Sequence, residues 1–131
     1  MNERDEVRLD VPATPEYLHL ARVTASGLAS RLGFSYDEVE DLRLAIDELC
    51  FALIGSKGRQ GTVQLRYTLD DGGVLEVEGM GNFDVDHRTP TLSELSRQIL
   101  SALVDEYEVY RLDPDLPCFR LVKRRGAGSR P

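Results

Sequence analysis

A carboxylate pair, Asp47-Glu48, lies inside the apolar run LAIDELCFALI. An acid in such surroundings is costly unless a hydrogen bond, a cation or a reaction uses it. The pair therefore marks a working active site, a site that has lost its chemistry, or an ordinary amphipathic helix. Further along, Gly79 and Gly81 flank Met80 in VEGMG, a pattern that by itself is negligible evidence for a nucleotide and matters only through its place after a strand. His87 stands beside Asp84 and Asp86 in DVDH, residue types that ligate divalent metals. One imidazole and two carboxylates in a loop are a weak pattern, and no metal site is expected from them. His19 is isolated and reads as a surface residue. Cys50 and Cys118 form no C-x-x-C pair, so they read as small core residues rather than zinc ligands. No nucleophile-elbow motif accompanies a Ser-His-Asp order, so hydrolase chemistry has no support.

The Asp47-Glu48 pair belongs to the best-marked helix of the chain. Ser35 and Glu38 form a capping box, with Phe34 and Val39 as a hydrophobic staple. The helix is expected from Tyr36 to Ile54. At 100° per residue, Val39, Leu42, Ile46, Leu49 and Leu53 make one apolar stripe. Leu44, Glu48, Phe51 and Ala52 make another. A helix apolar on two sides lies between layers or lines a pocket. Glu48 then either works in that pocket or turns to the rim and pairs with Arg43 or Lys57.

Val7, Leu9 and Val11 alternate with polar residues as a first strand, ended by Pro12. Thr14-Pro15 starts a helix whose apolar positions run from Leu18 to Leu32, and Gly33 ends it. Val63, Leu65, Tyr67 and Leu69 alternate as a strand, DDGG turns, and Val74, Leu75 and Val77 return as a hairpin. GMGNFDVDHRTP reads as a long loop. Thr91 and Glu94 give a second capping box before a helix with Leu95, Ile99 and Leu103. YEVYRL and CFRLVK are two last strands. The order β-α-α-β-β-α-β-β predicts an α+β fold: a two-layer α/β sandwich with helices on one face of a largely antiparallel sheet. Residues 1–125 are expected to form one domain and 126–131 a disordered tail.

The chain has 131 residues, 41% of them hydrophobic, enough for one core. Its 23 acidic and 16 basic residues give a net charge of −7. That opposes a nucleic-acid binder and suits a basic protein partner. No apolar run is long enough to span a bilayer, and the N-terminus has no signal-peptide pattern. The expected setting is the cytoplasm of a bacterium, with no membrane or nucleic-acid partner.

The stretches VPATPEYLHLARVTASGLASRLGFS and DLRLAIDELCFAL resemble the anti-sigma factor serine kinases of the Bergerat-type ATPase superfamily, relatives of histidine kinases, Hsp90-type chaperones and type II topoisomerases. The resemblance runs from about Val7 to Lys123 and implies the histidine kinase-like ATPase fold. It also implies three ATP boxes. The first pairs a general-base glutamate with a magnesium-binding asparagine one turn on; Glu48 matches the glutamate, and Ala52 replaces the asparagine. The second is Asp-x-Gly-x-Gly; Gly79 and Gly81 match, and Val77 replaces the adenine-binding aspartate. Glu78 adjoins it but should point to the opposite face of the strand. The third is a glycine-rich lid, and TPTLSELSRQIL has no glycine.

The resemblance therefore implies a regulator that binds a sigma factor or an anti-sigma antagonist, with Arg22 on the partner face and a homodimer through the sheet side. With the boxes degenerate, Glu48 becomes a remnant of the general base. No cofactor is then expected, and ATP with magnesium enters only if the site still functions. The alternative is an active ATP-dependent serine/threonine protein kinase. The expected fillers of a decayed site are Phe51, Met80 and Phe83. A Glu48→Ala change should raise stability if the carboxylate has no partner.

Overall fold

The alternating strands pair into one sheet because each presents an apolar row to the same side. In the computed structural model, which describes residues 4–83, 91–112 and 116–126, these are β1 (Arg4–Pro12), β2 (Gly61–Asp70), β3 (Val74–Phe83), β4 (Glu106–Arg111) and β5 (Pro117–Arg124). Their order is β1-β2-β3-β5-β4 and every pair is antiparallel. Val11, Val63, Leu65, Tyr67, Leu75, Val77, Phe119 and Leu121 form the buried row. Against it pack α1 (Pro15–Arg31), α2 (Tyr36–Ile54) and α3 (Glu94–Leu103). The expected two-layer α+β architecture is the one observed.

Small residues bring α1 close to the sheet. Ala21, Ala25 and Ala29 are fully buried, and the Tyr67 hydroxyl donates to the Ala21 carbonyl at 3.0 Å. Burial pushes the Tyr67 phenol above its ordinary pKa, so it stays protonated as that donor. The α2 start is as expected: Ser35 Oγ accepts from Glu38 N at 3.1 Å, and Ser35 N donates to Glu38 Oε1 at 2.8 Å.

Four local expectations are corrected. GMGNF is not loop, because β3 continues to Phe83, paired with β2 down to Gly61. The α3 cap is Ser93 and not Thr91; Ser93 Oγ accepts from Ser96 N at 3.0 Å. Thr14 precedes α1 without a side-chain cap bond, leaving Pro15 as its start signal. The second apolar stripe of α2 is not covered, since Leu44 and Phe51 are 53% and 59% exposed. The expected tail from residue 127 onward lies outside the described residues.

Candidate functional site

Glu48 sits half-buried on the α2 face that meets α3. Its Oε1 accepts from Ser96 Oγ at 2.8 Å. Ser96 Oγ in turn lies 3.1 Å from Ser93 Oγ, the cap oxygen of α3. The carboxylate is therefore partnered, and the expected gain in stability on its removal is replaced by an expected loss. Arg43 pairs with Glu40 at 2.9 Å. Asp47 turns the other way, toward α1, and meets Arg22 Nε at 3.0 Å. Burial raises the Asp47 pKa, and the Arg22 and Arg43 cations oppose that rise. The adjacent carboxylates thus serve different neighbours, because residues i and i+1 diverge by 100° on a helix.

One turn beyond Glu48, Ala52 packs against the core and offers no donor atom. The helix-facing residues of β3 are Leu75, Val77, Gly79, Gly81 and Phe83, and none carries a hydrogen-bonding side chain. Val77 is fully buried. Glu78 faces away, as alternation requires, and binds Arg66 on the outer side of the sheet at 2.6 Å.

The two glycines are occupied by the protein's own rings. A Cβ on Gly79 would lie 2.6 Å from Phe119 Cζ, with a second ring atom closer still. On Gly81 it would lie 2.5 Å from Phe83. Phe119 is the register partner of Gly79 across β5, so ring and glycine complement each other. Of the three expected fillers, Phe83 takes this role. Met80 lies on the outer face with Arg66 and Tyr110, and Phe51 is exposed.

Among the described residues no three His, Cys, Asp or Glu side chains converge as a metal site; Asp84, Asp86 and His87 lie outside them. The described side chains around Glu48 and β3 therefore do not fit a magnesium-nucleotide: one carboxylate is engaged by a serine, and nothing polar faces an adenine.

Arg22 and Asp47 line a groove of about 360 Å³ between α1 and α2, with Leu18, Cys50, Phe51 and Ile54. Cys50 is a free thiol, and burial pushes its pKa up to about 12. It is expected to resist alkylation by iodoacetamide at pH 8 in the folded protein and to react fully in denaturant, as peptide-mass analysis would read. Labelling of native Cys50 at the rate of the denatured thiol would contradict the burial.

Two contacting residues had no sequence signal at this site: Ser96, hidden by the Thr91/Glu94 pattern, and Lys123. Lys123 Nζ donates to the Leu103 carbonyl at 2.6 Å and lies 3.6 Å from Asp41 Oδ2.

The family model described as histidine kinase-like ATPase domain matches residues 11–123. The serine-protein kinase RsbW of Bacillus pumilus (strain SAFR-032) is 34% identical over 131 aligned residues, covering 83% of this chain and 81% of that protein. RsbW of Bacillus subtilis (strain 168) is 32% identical, covering 82% and 79%. RsbW of Listeria monocytogenes serovar 1/2a (strain EGD-e) is 30% identical, covering 81% and 80%. The chain belongs to the histidine kinase-like ATPase family, among the homologues of these serine-protein kinases.

Proposed function

We propose that this chain, one domain over residues 1–125, is an anti-sigma-factor-like regulator that acts by protein contact with a sigma factor or an anti-sigma antagonist. The observation that carries this reading is the filled nucleotide face. The glycines of the second ATP box hold Phe119 and Phe83, and among the described residues of β3 no helix-facing polar side chain replaces the missing ligands. Contact surface, by contrast, is plentiful: α1 exposes Tyr17, Leu20 and Val23, and α2 exposes Leu44 and Phe51. The net charge of −7 suits a basic partner.

The same reading places its action in the cytoplasm; among the described residues no helix is long and apolar enough to cross a membrane. A homodimer through the sheet side belongs to the same reading. Pull-down from the native host at native expression, with mass spectrometry, tests it. Recovery of a sigma factor or an antagonist domain is expected; recovery of neither contradicts it.

Arg22 is the residue proposed for the partner face. Its side chain is 30% exposed and already oriented by Asp47, so little freedom is lost on docking. Arg22→Ala is expected to weaken the partner complex by about 1–2 kcal/mol, read by titration of the captured partner. Unchanged affinity would remove Arg22 from the interface.

The second reading, an ATP-dependent serine/threonine kinase, draws on Glu48, which keeps the general-base place, and on the names of the relatives. ATP and magnesium enter only there. Incorporation of labelled phosphate into an antagonist domain, abolished by Glu48→Gln, would favour it.

A further inference from the structure

The geometry points to a ligand-independent clasp in which Glu48 and Lys123 hold α3 against the rest of the helix layer, Glu48 serving as a positioning residue for α3. The inference does not depend on which partner the protein meets.

The helix needs such a clasp. Leu100 is its only buried residue, and Leu95 is 66% exposed. Leu100, with Leu103 only partly buried against the core, is a small apolar anchorage for a short helix, and helices of this length draw their stability from packing.

Polar contacts close both ends. At the start, Glu48 Oε1 receives the Ser96 hydroxyl. The Ser93 hydroxyl donates to Ser96 Oγ while its own oxygen accepts Ser96 N. Amide, Ser93, Ser96 and Glu48 thus form one directed chain of donors ending on an anion, and each bond polarises the next. The carboxylate also lies at the first turn of α3, where the helix dipole favours negative charge.

At the other end, Lys123 Nζ reaches the Leu103 carbonyl, one of the unpaired carbonyls of the last turn, and approaches Asp41 of α2. Asp41 and Glu48 are two turns apart on α2, as Leu103 and Ser96 are on α3. The two contacts therefore fix the helices side by side and antiparallel. A carboxylate that would poise a hydroxyl for chemistry in a kinase here holds a hydroxyl of its own chain.

Hydrogen exchange of the full-length protein, read by mass spectrometry over residues 94–103, tests the clasp. Ser96→Ala, a change at a half-buried position outside the apolar core, is expected to speed α3 exchange about five- to tenfold, with β2 and β3 unchanged. Glu48→Gln keeps an acceptor and should raise it only about twofold. Millimolar magnesium-ATP should not alter exchange in the unsubstituted protein. Unchanged α3 exchange in Ser96→Ala would overturn the clasp. So would acceleration spread equally over β2 and β3, or magnesium-ATP slowing α3 exchange by tenfold or more, which would make a nucleotide the element that fixes the helix.

Discussion

Gly79→Ala is expected to destabilise the protein by about 3 kcal/mol, an unusual cost for one added methyl group. The methyl would enter the Phe119 ring, which is fully buried. Phe119→Ala alone should cost about 3–5 kcal/mol by leaving a cavity. Together the two changes should cost at least about 1 kcal/mol less than their sum, because the cavity accepts the methyl. Urea denaturation of the four proteins reads this coupling. Additive losses, or a neutral Gly79→Ala, would mean that the glycine is not there for the ring. The measurement bears on function, since a ring seated on the glycine takes the space a nucleotide would need there.

Lys123→Met should cost about 2 kcal/mol. The substitution keeps the apolar stem and removes the ammonium that binds the Leu103 carbonyl. Asp41→Ala should cost under about 0.5 kcal/mol, because Asp41 is 38% exposed and its Lys123 contact is long at 3.6 Å. Thermal or urea melting separates the two. Equal losses would move the weight from the helix carbonyl to the ion pair.

The features legible in the sequence were those fixed by neighbours along the chain. Ser35 and Glu38 announce the α2 start within one turn, and alternation in β1 and β2 gives the buried row directly. The end of β3 was hidden because GMGNF has neither alternation nor β-propensity; its strand state comes from pairing with Gly61 and Val63 of β2. The α3 cap was misplaced because Thr91/Glu94 and Ser93/Ser96 both fit a local pattern, and the structure uses the serines.

Helical periodicity gave α2 two apolar stripes but not what covers them, and Leu44 and Phe51 proved exposed. At the site, the lost donors at Ala52 and Val77 could be read from residue type alone. The partner of Glu48 could not, since Ser96 lies 48 residues away and meets it only through the packing of α3 on α2. The ring on Gly79 was equally invisible, because β5 follows a helix and another strand before it returns beside β3.

Calorimetric titration of the full-length protein with magnesium-ATP addresses most directly the claim that this fold works without nucleotide. The filled glycine face and the engaged Glu48 predict no saturable heat up to millimolar ligand. A dissociation constant tighter than roughly 100 µM, about −5.5 kcal/mol of binding free energy, would contradict the account and return the protein to the ATP-dependent kinases.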